Sequence, residues 1–372
     1  MDISLTNEEH KRCVATRKVV LQRKRKWQLG RFMEEQLRKV ALERKRARQL
    51  VSLTEEQLDV IAENCKDGLL QKSALQALLF PAPPDGWVRG KSPKEPEDFE
   101  DSFVLPVHSI KLLQLCHPHA RDCRLQFFPA DHRYEIDGEV TLGSVTSLVH
   151  EFSEKFDPDS VIEKMRSGPR WPRPGYTHAD GSPMSPQEIK QMWQANATVS
   201  GNQGTWAHYM CECFLNKEPM GSGSFRKEVE LFLKFLGTLQ NHMPYRTEWE
   251  IFAEDIKLAG SIDFVAKAPD GTFVIVDWKR TKQMHTKFHN LFRTLKDPLN
   301  HLEDCAGLLY RIQVNVYRLI LEKYYGLPVS RMFLVGIHPD CGDSPFVDIV
   351  PRMDLEAEVV FERQRCKANG ML

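Results

Sequence analysis

The chain has 372 residues, of which 41% are apolar and 27% charged, enough to bury a sizeable core in two domains. No apolar run nears the ~18 residues needed to span a bilayer, which excludes an integral membrane protein. The opening MDISLTNEEH has neither the apolar stretch of a secretory signal nor the acid-poor character of a mitochondrial leader. Nine irregularly spaced cysteines then read as reduced thiols of an intracellular protein, not as a disulfide framework. The 51 basic and 51 acidic residues cancel, but not locally: residues 1–50 hold 15 Lys/Arg against 6 Asp/Glu, leaving the remainder net negative. A basic arm on an acidic body points to a polyanionic partner or a nuclear address.

Residues 1–80 lack Pro, hold little Gly and are dominated by Lys, Arg, Glu, Gln, Leu and Ala, which predicts a helical arm. Leu5-Thr6-Asn7-Glu8 aligns with Leu53-Thr54-Glu55-Glu56 at an offset of 48, with six identities in twenty positions. The repeat and the clusters Arg23–Lys26 and Arg44–Arg46 mark the arm as a docking or targeting element. Residues 81–105, dense in Pro, Gly and charge, read as a linker, and residues 106–372 as a globular domain. Within it, Arg133–Ile136 is an expected short strand before a turn at Asp137-Gly138, and Ser144-Val145-Thr146 opens an apolar-periodic helix through Phe152. Residues 167–186 are an expected irregular loop, and Gly204–Asn216 an expected helix after a Gly-rich turn.

The end of the chain is the most regular part. Arg246–Glu254, Ala259–Ala268 and Thr272–Lys279 read as strands, Cys305–Tyr325 as an amphipathic helix stopped at Gly326 and Pro328, and Met332–Ile337 as an apolar strand. This order predicts an α/β layer around one mixed sheet. Pro269-Asp270-Gly271 is a strong turn signal. With Asp270 at the centre of a hairpin, Asp263 and Asp277 lie seven residues to either side and are expected opposite each other on one face, ~5 Å apart at Cβ. Alternation places Lys279 on the face of Asp277. Like charges facing each other near a sheet interior need a compensating cation, and oxygen ligands favour Mg²⁺ or Mn²⁺. The bland alternative is a surface hairpin with two solvated acids and a salt-bridging lysine.

This Gly-x-x-Asp, hairpin and Asp-x-Lys pattern resembles the PD-(D/E)XK nuclease superfamily, most closely its RecB-like exonuclease branch, with a softer similarity to large-DNA-virus and protist members from Arg133 to Asp157. Gly204-Thr205-Trp206-Ala207-His208 is similar to the branch's Gly-x-x-x-His helix, and Gln313-Val314-Asn315-Val316-Tyr317 to its Gln-x-x-x-Tyr motif. The resemblance implies a restriction-endonuclease-like core that hydrolyses phosphodiester bonds of DNA in replication, recombination or repair. It implies metal ligation by His208, Asp263 and Asp277, catalytic roles for Lys279, Asp277, Asp263 and an acid on the preceding strand, and DNA contacts at Ser144, Thr146, Thr205, Gln313 and Tyr317. Glu248 and Glu250 read as sharing one face of that strand and both stay open as that acid, with Glu250 named among the catalytic candidates. No iron–sulfur cluster is expected, since only Cys341 and Cys366 follow Tyr317. Leu53–Lys72 resembles the helical peptides that recruit replication protein A. The competing readings are a non-catalytic DNA- or partner-binding protein of the same fold and an RNA-directed nuclease.

Overall fold

The structure is a computed structural model, and it describes residues 95, 96, 99, 100, 105, 111–129, 131–218, 225–239 and 241–371. The helical arm, its repeat, the basic clusters, the peptide that resembles a replication protein A ligand and most of the linker lie outside the described residues. No helix among the described residues is long and apolar enough to cross a membrane.

A short helix α1 (Leu112–Cys116) leads into a three-stranded antiparallel sheet, β1 (Leu125–Phe128), β2 (Arg133–Ile136) and β3 (Glu139–Val140). Helices α2 (Val145–His150), α3 (Pro158–Arg166), α4 (Pro186–Leu215) and α5 (Arg226–Thr238) follow. The second sheet holds β4 (Met243–Ala253), β5 (Leu258–Lys267), β6 (Phe273–Lys279), β7 (Val329–Gly336) and β8 (Phe346–Ile349) in sequence order. Only β6 and β7 run parallel, joined by a crossover that contains α6 (Ala306–Tyr324); α7 (Asp354–Ala368) ends the fold. The mixed sheet flanked by helices is the restriction-endonuclease-like α/β architecture that the sequence pattern implies.

Two apolar layers sandwich this sheet. Ile275, Val265, Met332 and Leu334 face α2, α6 and α7, while Phe264, Val274, Val276 and Trp278 face α4 and α5. Arg318 of α6, fully buried, ties Glu322 of its own helix to Asp354 at the start of α7. Arg121 joins the small sheet's leading turn to the large one: it pairs with Glu254, donates to the Phe252 carbonyl and lies over the Phe252 ring.

The helix expected from Gly204 begins eighteen residues earlier and contains no Gly-rich turn. Ser185 and Glu188 form a capping box with Pro186 in the first turn, and this start signal outweighs Gly201 and Gly204 inside the helix, which cost ~1 kcal/mol each. The strand β8 and helix α7 were not expected. The first is four residues with one half-buried face, and the second spreads charge around its whole circumference, so neither prints a clear period.

Hydrogen bonds and charge from Arg121, against some desolvation, hold the Glu254 carboxyl down at about 2, below its ordinary 4.5. A depressed folded-state value stabilises the fold above about pH 4.5 and stops doing so as pH falls through about 2. The stability gap between wild type and Glu254→Gln is therefore expected to be constant near neutrality and to close over that window. Urea unfolding midpoints at several pH values measure it.

Candidate active site

The hairpin turns where the sequence places it. The Ala268 amide donates to the Thr272 carbonyl, and the β5–β6 ladder pairs Lys267 with Phe273 through to Phe264 with Val276. The next rung is Asp263 opposite Asp277. Here the strands part, and the Asp263 Oδ2 accepts the Trp278 amide proton at 2.7 Å in place of a backbone carbonyl. Both carboxylates thus stand at the frayed end of a buried hairpin.

A matching irregularity occurs on β4. Thr247 pairs with Phe264 and Trp249 with Ile262, which sets Glu248 across from Asp263. Glu248 has a φ of +39°, a left-handed conformation that costs a non-glycine residue ~1–3 kcal/mol. The strand's alternation breaks there: Thr247 bonds Asn216 of α4 on one side, while Trp249 packs in the opposite layer. Glu248 and Glu250 therefore do not occupy equivalent places. Glu248 reaches Asp263 and accepts a hydrogen bond from Ser261 Oγ at 3.3 Å. Glu250, the other candidate acid from the sequence, is not grouped with those two acids; burial raises its pKa, Lys111 opposes the rise and Glu248 adds to it.

His208 descends from α4 into the same place. Its Nδ1 lies 3.5 Å from Asp263 and 3.7 Å from Glu248. Among the described residues, His208, Glu248 and Asp263 are the group whose ligand atoms all fall within 4.8 Å of one another. One imidazole nitrogen and two carboxylate oxygens at that spacing suit a hard or borderline divalent cation. Burial alone would lower the pKa of His208, but the charges of Asp263 and Glu248 push it up to about 9. Asp277, expected from the sequence as a third ligand, is not one of this trio. Lys279 Nζ sits 2.6 Å from its Oδ2.

Burial, countered by Lys279 and reinforced by Asp263, raises Asp277 to about 6. Burial also raises Asp263, with His208 opposing. Desolvation works against the Lys279 ammonium, yet Asp277 and Asp263 outweigh it and push its pKa up to about 12. Lys279 Nζ also lies 4.7 Å over the Tyr310 ring. Tyr310 escaped the sequence reading, although it precedes Tyr317 by seven residues on α6 and so shares its face.

The remaining residues singled out from the sequence take three kinds of place. Gln313 Nε2 donates to Thr146 Oγ1 at 3.1 Å and to Tyr317 Oη at 2.9 Å, which ties α6 to α2. Tyr317 is only 2% exposed and braces α6 beneath Gln313. Ser144 is engaged in capping α2: its Oγ accepts the Ser147 amide proton at 3.1 Å. Thr146 is exposed beside Gln313, and Thr205 is exposed on α4, where its hydroxyl donates to the Gly201 carbonyl. Glu212, one turn beyond His208, is buried and paired with Lys111 at 2.6 Å.

An α/β sheet with an acid–imidazole cluster at a strand end, beside a buried ammonium–carboxylate pair, is laid out for metal-assisted hydrolysis of a phosphate ester. The sequence matches the PD-(D/E)XK nuclease superfamily over residues 119–372, more than half of the chain, and the protein belongs to that superfamily. Its members are phosphodiester hydrolases of nucleic acids that use divalent metals. No curated protein matches the chain. Among solved structures, it is similar to a provisionally assigned exonuclease from Eubacterium rectale. The two share 14% identity and a TM-score of 0.24, over 62% of this chain and 82% of the other.

Two outcomes are expected. A Cβ at Gly260 would sit 2.8 Å from Tyr317 Cε1 and 3.2 Å from Val145 Cγ2. Gly260→Ala should therefore cost about 1–3 kcal/mol, read by thermal or urea unfolding. Asp263→Asn should weaken Mn²⁺ binding by at least about 10-fold in a titration followed by Mn²⁺ electron paramagnetic resonance, with the circular dichroism spectrum retained.

Proposed function

We propose that this protein is a metal-dependent deoxyribonuclease, an exonuclease acting in DNA replication, recombination or repair. The observation that carries the proposal is the meeting of His208, Glu248 and Asp263 at the point where β5 and β6 part, with the Asp277–Lys279 pair beside them. Membership of the superfamily supports the hydrolase chemistry. The RecB-like Gly-x-x-x-His and Gln-x-x-x-Tyr motifs support DNA as substrate and the exonuclease mode, and the basic arm supports a nuclear location.

A divalent cation, Mg²⁺ or Mn²⁺, held by His208, Glu248 and Asp263 would neutralise the scissile phosphate and acidify a water. The residues of the chain then divide the remaining work. Glu248 and Asp263 alone repel a phosphodiester, so the site engages its substrate only with that charge offset. Lys279 keeps its proton at neutral pH, so its ammonium acts as a donor and a positive charge toward the phosphoryl oxygens, not as a base. Asp277 fixes the position of Nζ from one side and the Tyr310 ring from another. Gln313 and Tyr317 hold α6 against α2, which keeps the Tyr310 ring in register with Lys279.

Purified protein incubated with end-labelled DNA and RNA in Mg²⁺ or Mn²⁺ should release short products from DNA. Lys279→Met should lower the cleavage rate by about 10²- to 10⁴-fold while binding in Ca²⁺ persists. Cleavage of RNA alone would replace the substrate class. No cleavage of either, with binding intact, would leave a nucleic-acid-binding protein.

A further inference from the structure

The polypeptide that leaves the site is unusual in charge and surface. From Trp278 to Lys296 there is no acidic residue, while Lys279, Arg280, Lys282, Lys287, Arg293 and Lys296 carry positive charge. Some of these are engaged: Arg280 binds Glu228 and Gln203, and Lys296 Nζ donates to the carbonyls of Glu151 and Ser153. Lys282 and Arg293 are exposed and have no ion pair among the described residues. Between them lie Leu291 at 84% and Phe292 at 91% exposure, the two most exposed large apolar side chains among the described residues.

This tip is fastened on both sides. The Asn290 amide donates to Glu303 and its Nδ2 to the Asp304 carbonyl, both at 2.6 Å, and the Phe292 amide donates to Asn290 Oδ1 at 3.1 Å. Arg293 accepts the Asp304 amide proton, Thr294 bridges Glu303, and Leu295 and Leu299 are buried in the core. Asp304 in turn accepts from Ser153 Oγ at 2.6 Å, which anchors the segment to the chain just after α2. Ser153 lies three residues beyond α2, the helix whose Thr146 bonds Gln313 of α6.

A leucine and a phenylalanine held in water between the exposed cations Lys282 and Arg293 call for an occupant that is both polyanionic and flat-faced. Duplex DNA presents its phosphates but hides its base faces in the stack; an unpaired strand or frayed end presents both. Resting on the nuclease reading above, we propose that Leu291 and Phe292 form a base-stacking element, with Arg293 and Lys282 on the phosphates, that directs the site toward single-stranded DNA. Phe292 and Leu291 contact bases, and Lys279 meets the backbone at the adjoining site.

The test uses the full chain in Ca²⁺, with fluorescence anisotropy of fluorescein-labelled oligothymidine and of a blunt duplex of equal length. The double variant Leu291→Ala/Phe292→Ala should bind oligothymidine about 5- to 100-fold more weakly, with duplex binding within about twofold of wild type. Arg293→Ala should reduce the dependence of log affinity on log salt by about 0.7 for the single strand. These side chains are solvated, so melting temperatures should match wild type. Unchanged oligothymidine affinity in the double variant, or an equal loss on duplex, overturns the inference while cleavage by that variant leaves the nuclease reading standing. So does loss of binding to phosphatidylserine vesicles with oligothymidine binding intact, which would make the tip a membrane contact. If wild type neither binds nor cleaves DNA, both readings fall.

Discussion

Three carboxylates, from Glu248, Asp263 and Asp277, stand around one strand end, the first two half-buried and the third buried. Mutual repulsion in such a setting is severe, and two cationic groups partly relieve it: His208 beside Glu248 and Asp263, and Lys279 beside Asp277. The relief is incomplete, because acids outnumber cations and both hairpin acids remain harder to ionise than free aspartate. A site with this imbalance favours a divalent cation and, once it is filled, an anionic substrate. Much of the surrounding architecture serves to hold these charges where their own repulsion would scatter them.

Several local departures from regular structure are intelligible in that light. The β5–β6 ladder stops one rung short so that Asp263 can take the Trp278 amide. Glu248 adopts a left-handed backbone that sends its side chain toward the same spot. Gly260 has no side chain, and the ring of Tyr317 and the branch of Val145 occupy the space one would fill. That close approach lets α2 and α6 lie tightly over β5, with Gln313 linking them. Irregularities of this kind persist only where the neighbouring sheet and helices over-determine them, and here the two apolar layers do so.

The fold was legible wherever residues interact mainly with near neighbours. The hairpin around Asp270, the helix that starts after Cys305 and the cap at Ser144 follow from turn chemistry, apolar period and capping preference. The long helix α4 was truncated in the reading because two glycines look like a break, although the start signal at Ser185 stands in plain view. Strand β8 and helix α7 carry weak periods because each packs along a narrow seam, α7 being fastened by Asn315 and Arg318 from another element.

The sequence by itself determined the hairpin register that faces Asp263 with Asp277, the alternation that adds Lys279, and the motif order that marks the superfamily. Those features depend on spacing along one or two adjacent strands. Tertiary structure alone decided that Glu248 and not Glu250 meets His208, that Asp277 pairs with Lys279, and that Tyr317 is buried. Each of these turns on a backbone angle or on the approach of a distant helix, and a one-dimensional period contains neither.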